Sequence, residues 1–329
     1  MQEIIESQDY TKYLPKKITL EKLTSRKVEP TFNFSKIMFI VTGNAIQALN
    51  TPDNIKYEYE NGGLLLSIAG ELAEPIHILY YDSIYQHNTT IHLEKDSKVS
   101  IIEHVLFDNN EILSTEVYLA PRAQLQHCLL QDSNILAATH LNIVIVMQAQ
   151  AQLEQTIINS SVRVSQIIAQ VFFKGEQASS TQHILNFAQT TACLDAILAL
   201  AHEVPFCKSK VVAHSVVQHK AQASIMGKIK VAKNAQKTNA NLQIKNLLCD
   251  KSAKANARPQ LEIYADDVKC AHGATTGTLD PQTIFYMRSR GIGLEQAKQL
   301  LMQGFMHTIV DNIKLKNVRT YALNKLMEM

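Results

Sequence analysis

Tryptophan is absent from these 329 residues, and there are only eleven glycines and eight prolines. A chain that turns often normally places Gly or Pro at its corners, so any fold with many turns must here use Asn, Ala, Lys and Gln instead. Five cysteines (Cys128, Cys193, Cys207, Cys249, Cys270) are odd in number, scattered and free of any CxxC pair. That excludes a disulfide framework and a zinc ribbon, and fits a reducing compartment. A formal charge of +2 is too small to imply a polyanionic partner for the whole molecule. No run approaches the roughly 18 apolar residues of a membrane span. The nearest, Leu136–Met147, is broken by Thr139, His140 and Asn142. The acidic start, Met1 to Asp9, lacks the apolar region of a signal peptide, so the expected location is cytoplasmic with no membrane contact.

Other absences concern chemistry. There is no GxxxxGK[ST] loop, and neither Gly273 with Gly277 nor Gly291 with Gly293 forms a dinucleotide fingerprint, so the chain itself is expected to bind no nucleotide. His202-Glu203 runs on into Val204-Pro205-Phe206 rather than to a second zinc-binding histidine, and no nucleophile elbow occurs. His214 and His219 with Cys207 would make a metal cluster only if loops converged. Residues 208–258 hold ten Lys and one Arg against Asp250 alone, +10 locally against −8 for the remainder. The segment has no Phe, Tyr or Trp on which bases could stack, so nucleic acid is not expected. A solvated face, or one meeting an acidic partner, fits better.

What is present is a long series of short apolar or alternating runs: Ile37–Val41, Leu64–Ile68, Ile76–Tyr80, Val99–Ile102, Glu116–Leu119, Ile143–Met147, Val162–Ile168, Val211–Val217 and Leu261–Tyr264. They are too short for helices and rich in β-branched residues, which predicts a mainly β body. Small residues open similar strings at Ser97, Ala123, Ala151 and Ala178, at steps of 26, 28 and 27 residues. The seventh position of each string is apolar (Leu129, Ile157, Ile184), except for Glu103. Near-constant spacing of this kind predicts stacked coils, a parallel β-helix rather than a sandwich. Beyond Ala178 the period blurs through Ala221, Ala235, Ala253 and Ala271.

Three segments follow from this pattern: a short, partly helical arm over 1–35, a β-helix core over 36–277 and a helical domain over 278–329. Asp280 can cap a helix that has Pro281 at its first position and ends at Gly291. A second helix from about Leu294 carries Ala297, Leu301, Phe305 and Ile309 on one stripe, and Asn317–Met327 can add a third. The stripe fits packing on the β-body, and half of it is surplus that could fill a partner groove.

Just before that tail stands Tyr264-Ala-Asp-Asp-Val-Lys-Cys270-Ala-His272-Gly273-Ala-Thr-Thr-Gly277. In an extended strand Cys270 and His272 point to the same face, about 7 Å apart along the backbone. Soft sulfur beside imidazole suits iron, zinc or a sulfur carrier. Two ligands cannot complete a metal or cluster site, so a second chain would supply the rest. Set against this, a lone Cys is more often simply buried. A close His272 would favour the thiolate of Cys270.

The string Arg258-Pro-Gln-Leu-Glu-Ile-Tyr-Ala-Asp-Asp-Val-Lys-Cys-Ala-His-Gly-Ala-Thr-Thr-Gly277, continued by Leu279-Asp280, Phe285-Tyr-Met-Arg-Ser-Arg-Gly291 and Ala297-Lys-Gln-Leu-Leu301, resembles the SufB/SufD family of iron–sulfur cluster assembly proteins, on its SufD branch. Weaker likeness reaches Pro75-Ile-His-Ile-Leu79, Ile91-His-Leu-Glu94 and Ile102-Glu-His104, covering roughly residues 37–315.

The resemblance implies a right-handed parallel β-helix that pairs along its side with a SufB-type protein. It also implies a C-terminal helical domain that docks a SufC-type ABC ATPase. The implied role is a non-enzymatic scaffold, sharing a transient iron–sulfur cluster or iron with SufB at Cys270 and His272. Docking would involve Leu279, Phe285, Tyr286, Arg288, Arg290, Leu294, Ala297, Leu301 and Phe305. Related surfaces on the two branches imply a homodimer when the chain is alone, and family members carry a longer helical N-terminal domain. Two other readings stand beside it: a β-helix enzyme acting on acidic polysaccharide, and a purely structural adaptor.

Overall fold

The computed structural model describes residues 35–328 apart from 43–44, 61–62, 82–85, 107–109, 133–137 and 161–162. All of the expected arm over 1–35 except Ser35 lies outside the described residues. Two hairpins open the body: β1 (Ile37–Thr42) with β2 (Ala45–Leu49), and β3 (Ile55–Glu60) with β4 (Gly63–Ile68), both antiparallel. Parallel strands follow: β5 (Ile76–Tyr81), β6 (Gln86–Leu93), β7 (Lys98–Leu106), β8 (Glu111–Leu119), β9 (Gln124–Gln131), β10 (Ala138–Met147), β11 (Gln152–Asn159) and β12 (Val164–Phe173). The series closes with β13 (Ser179–Ala188), β14 (Cys193–His202), β15 (Lys208–Val217), β16 (Gln222–Val231), β17 (Asn239–Leu248), β18 (Lys254–Ile263) and β19 (Lys269–Thr278). From β5 on, odd and even strands go to opposite sheets. One runs β19-β17-β15-β13-β11-β9-β7-β5-β1-β2 and the other β18-β16-β14-β12-β10-β8-β6-β4-β3. Each coil therefore adds one strand to each sheet, which is the expected parallel β-solenoid.

The repeat read from sequence is a corner. Asp96, Arg122, Gln150, Gln177, Phe206 and Lys237 all adopt left-handed backbone, with φ between 59° and 63°, and each directly precedes a buried small residue: Ser97, Ala123, Ala151, Ala178, Cys207 or Thr238. Left-handed backbone costs a non-glycine residue about 1–2 kcal/mol. Bonds between coils offset this: the Arg122 amide donates to the Ala149 carbonyl at 2.9 Å and the Gln150 amide to that of Glu176 at 2.8 Å. Arg122 clasps the Asp96 carboxylate with two bonds of 2.5 and 2.7 Å, and Gln150 donates to Gln177 at 3.0 Å. Polar corner residues stacked in this way replace the missing glycines. Ala192, Ala221 and Ala253 form a second buried column at the opposite corner. The period blurs because the two columns interleave, and Ala235 and Ala271 belong to neither.

Between the sheets, side chains stack in register. Leu129, Ile157 and Ile184 align from β9 through β11 to β13, and Glu103 of β7 stands opposite Leu129. The exceptional carboxylate is thus truly interior, at 0% exposure. It accepts from Tyr80 Oη and Thr115 Oγ1, each at 2.7 Å, and lies 2.8 Å from His127 Nε2. Gln182 donates to Gln155 Oε1 at 2.6 Å, which turns the Gln155 amide nitrogen towards His127 Nδ1 at 2.8 Å. His127 Nε2–H then faces the carboxylate, and the donors in the line point towards Glu103. Burial alone would raise the Glu103 pKa, but these donors, His127 foremost, hold it below the usual carboxylate range.

The tail contains α1 (Pro281–Ser289), α2 (Leu294–Val310) and α3 (Lys316–Glu328). The expected caps are present: Asp280 accepts from the amides of Gln282 and Thr283 at 3.1 Å, and Gly291 turns with φ 88°. The tail does not extend the end of the solenoid, as an appendage would. Instead, the outward-facing Ile102, Leu130, Ile158, Leu185, Phe187 and Val216 make an apolar strip on the larger sheet, and Met302, Met306, Ile309, Val318 and Leu326 cover it. Each fully covered side chain contributes about 1.5–3 kcal/mol, enough to hold the helices along the flank. The buried stripe is also shifted from the expected one: Ala297, Met302, Met306, Ile309 and Val310 are buried, and Leu301 and Phe305 only partly. Body and tail form one compact unit, Phe34–Met329.

Candidate functional site

Strand β19 pairs in register with β17, setting Cys270 beside Ala240, His272 beside Leu242, Ala274 beside Ile244 and Thr276 beside Asn246. Ala240, Leu242 and Ile244 point into the interior and are 0–1% exposed. Cys270 and His272 therefore occupy inward positions, as their spacing requires. Both sheets end here, at β19 and β18, with no further coil among the described residues. The column that is sealed one coil earlier is open at β19: Cys270 is half-covered against the core, while His272 is exposed. On β18, Ala257, Pro259 and Leu261 continue the columns of Ile225, Gly227 and Ile229 and are likewise only half-covered. The end of the solenoid is thus an apolar cross-section with a thiol and an imidazole at its rim. Along it run two ten-residue edge strands, each with one row of backbone groups unpaired, some 33 Å of pairing template. Pro259, which has no N–H, fits an edge strand.

Burial, only partly countered by a hydrogen bond with the Ala240 backbone, raises the Cys270 thiol pKa. No hydrogen bond joins Cys270 to His272 among the described residues. The expected thiolate is therefore not favoured in the free chain: the imidazole lies one strand position on, in the open, while the thiol leans into the core. Among the described residues no group of three or more His, Cys, Asp or Glu is placed to hold a metal, so the pair remains an incomplete ligand set. The looser combination of Cys207, His214 and His219 is not assembled. Cys207 fills an interior corner, His214 lies beneath Phe305 with ring centroids 4.4 Å apart, and His219 sits in the opposite turn.

The tail sorts the remaining candidates. Leu279, Leu301 and Phe305 pack into the cluster on the sheet, the last two only partly buried, and Ala297 is fully buried. Phe285 is 75% exposed and Tyr286 59%, α1 buries none of its residues, and Leu294, Arg288 and Arg290 also face outward. Arg290 lies over the Tyr286 ring at 5.4 Å. Sequence reasoning missed the Glu103 network and the apolar strip beneath the helices. The first announced itself only as the one acidic residue at an apolar repeat position. No helix among the described residues is long and apolar enough to cross a membrane.

These features define a class: a two-sheet parallel β-solenoid, helices laid on one flank, with an incomplete Cys–His pair on an open last coil. Residues 79–305 match the family model described as SUF system FeS cluster assembly, SufBD core domain. The chain belongs to this family, and its relatives point to the SufD branch. It is 30% identical over 265 residues to the iron-sulfur cluster assembly protein SufD of Escherichia coli, covering 79% of this chain and 60% of the relative. A SufBD family protein of Synechocystis is 30% identical over 273 residues, with 76% and 59% covered. Protein ABCI7, chloroplastic, of Arabidopsis thaliana is 27% identical over 241 residues, with 70% and 50% covered. The chain spans no more than about 60% of the length of these relatives.

Proposed function

We propose that this chain is a non-enzymatic scaffold subunit that holds half of a cluster assembly site and offers it to a SufB-type partner at the last coil. The observation that carries this reading is the open inward column: Cys270 and His272 stand in register above sealed core positions. A partner solenoid meeting β18 and β19 would continue both sheets, cover the apolar cross-section and add the missing ligands. This moves the contact from the side of the solenoid to its end. Iron or a nascent iron–sulfur cluster is the cargo, with the Cys270 thiol as soft ligand or sulfur relay and His272 as second ligand or proton acceptor. A SufC-type ABC ATPase docks on the exposed face of α1 through Phe285, Tyr286, Arg288, Arg290 and Leu294.

The test mixes the chain with the SufB-type and SufC-type proteins of the same organism and reads complex mass by light scattering, then cluster formation by absorbance. Phe285→Ala with Tyr286→Ala should lose the ATPase and keep the SufB-type partner. Cys270→Ala with His272→Ala should keep both partners and lose cluster formation. An undiminished cluster yield from the second variant refutes the ligand role. A chain left alone while the other two proteins associate refutes the scaffold reading.

A further inference from the structure

A cavity of about 350 Å³ lies between α2 and the strand ends of the larger sheet. Gln189, Gln218, Cys249 and Leu279 directly follow β13, β15, β17 and β19, so they hold the same position on four successive coils, and all four line this cavity. From the helix side Met302 and Met306 add an apolar floor, and Lys298 stands at the mouth, 2.9 Å from Glu295. Gln189 is 7% exposed, yet its Nε2 has no hydrogen-bond partner among the described residues. Gln218 Nε2 finds a thioether, Met302 Sδ at 2.8 Å, which is a weak acceptor. Two primary amides on adjacent coils therefore present N–H groups to the cavity with no oxygen to receive them, and a buried donor left so is costly. N–H groups repel a cation, and among the described residues no group of three or more His, Cys, Asp or Glu is placed to hold a metal. The volume falls within the roughly 300–1,000 Å³ of small-molecule sites.

We propose that this cavity binds a small carboxylate with an apolar tail. The carboxylate accepts from the Gln189 and Gln218 amides and meets the Lys298 ammonium, a charge-assisted contact. The tail lies on Phe187, Met302 and Met306, where the flexible thioethers adapt to its shape. Inorganic phosphate suits the site less well: it has no apolar part to cover the floor, and Asp250 and Glu295 oppose its second charge. The same two carboxylates can receive an ammonium group, so an aliphatic acid and an apolar amino acid share the required chemistry. Either ligand bonds to the sheet and to α2 at once and fastens the helix to the flank. Neither the last coil nor a partner enters this site.

Hexanoate, norleucine, hexylamine and inorganic phosphate are titrated into the full chain and followed by thermal unfolding and calorimetry. Hexanoate or norleucine should bind and raise Tm by about 5 °C at a hundredfold excess over Kd. Hexylamine and phosphate should bind about tenfold or more weakly. Tighter binding of norleucine assigns the amino acid, and tighter binding of hexanoate the plain acid. Gln189→Leu and Lys298→Met, which keep much of the side-chain volume and remove the donor, should each weaken binding about tenfold or more. Should either variant misfold, the parent decides: bound carboxylate should slow iodoacetamide labelling of Cys249 and hydrogen exchange of the α2 amides, with Cys270 labelling unchanged. No binding by any probe marks a hydrated void and overturns the proposal. So does hexylamine or phosphate binding as tightly as hexanoate, affinity unchanged in both variants, or Cys249 labelling indifferent to the bound carboxylate.

Discussion

Replacing Glu103 by leucine tests whether the interior of the solenoid is specified by a polar network or merely filled. Leucine is what the next coil carries at the same register, so volume and burial pattern are respected. The carboxylate, however, accepts from Tyr80 and Thr115 at 2.7 Å and faces His127 Nε2 at 2.8 Å, all inside a fully buried site. Removing it leaves the Thr115 hydroxyl and the His127 ring N–H without acceptors, and leaves Tyr80 Oη only Thr89 Oγ1 at 2.8 Å. Each stranded donor costs about 1–3 kcal/mol, so the substitution should destabilise by about 3–5 kcal/mol. For a unit of this size that is a fall of roughly 6–10 °C in Tm, read by near-UV circular dichroism. Combining it with Tyr80→Phe, Thr115→Val and His127→Leu removes those donors but takes the acceptor from the Gln155 amide and a partner from Thr89, so it should recover only part of the loss. The pH dependence has a fixed sign. Because the folded pKa of Glu103 is depressed, its contribution is present above the ordinary unfolded carboxylate pKa and fades as pH falls through the lower folded value. The parent should therefore lose more stability than the quadruple variant on acidification below about pH 4. If Glu103→Leu alone shifts Tm by less than 2 °C, or if the quadruple variant is the less stable, the network account is refuted.

Thiol accessibility should rank by burial. With iodoacetamide followed by mass spectrometry, Cys270 should label well before Cys128 and Cys249, whose thiols burial pushes up to about 12, and its labelling should rise with pH and stop in the heterocomplex. Equal rates for the three would contradict the described packing. Gly227→Val should cost about 1–3 kcal/mol, because even the first added carbon lies 2.6 Å from Leu242 Cδ2 in the interior; a chemical-denaturation midpoint unchanged within error would refute that. Asp280→Ala removes the cap of α1 and should cost about 1 kcal/mol there, with Asp280→Ser restoring most of it, read by hydrogen exchange of the α1 amides. His77, His202 and His214 have pKa values lowered by burial to about 4. Their unfolded forms take up protons first, so acid titration should show stability falling as pH drops from about 6.5 towards 4, and no such slope would contradict neutral buried imidazoles.

Most of the solenoid was legible because a corner with left-handed backbone must be followed by a residue small enough to be buried, and that leaves a period. What hid the rest was chemistry that serves two purposes at once. In β14, Cys193-Leu-Asp-Ala-Ile-Leu-Ala-Leu-Ala-His202 has the composition of a helix, and only the sheets on either side make it a strand. In β15 every residue from Val211 to Val217 is buried, because one face fills the interior and the other lies under α2, so the alternation that marks a strand disappears. The same double burial concealed the strip that receives the helices and the packing of Leu279, Leu301 and Phe305 against it. Cys270 and His272 were legible as a same-face pair. That their column is open could not be read, because it depends on strand β17 thirty residues earlier and on the absence of a coil after β19 in the described fold.

The two ends of the solenoid are treated differently, and that contrast bears on function. Stacked coils need capping units, since each coil buries its apolar edge only against a neighbour. At the first coil the cap is present, in the hairpins β1–β2 and β3–β4. At the last coil a cap was within reach, because the chain leaves β19 directly into three helices carrying apolar faces. Instead Asp280 and Pro281 start α1 at once, and α2 is drawn back along the flank, where Met302 and Met306 find the outward strip of the larger sheet. The inward positions left exposed change accordingly, from Leu242 and Ile244 to His272 and Ala274, and from Ala240 to Cys270. An end that merely faced water would need no soft ligand at its rim, and an end meant to stay monomeric would not combine two unpaired edge strands with an apolar cross-section. Uncapped edges and an incomplete ligand pair on one coil fit the proposed completion of that coil by another subunit.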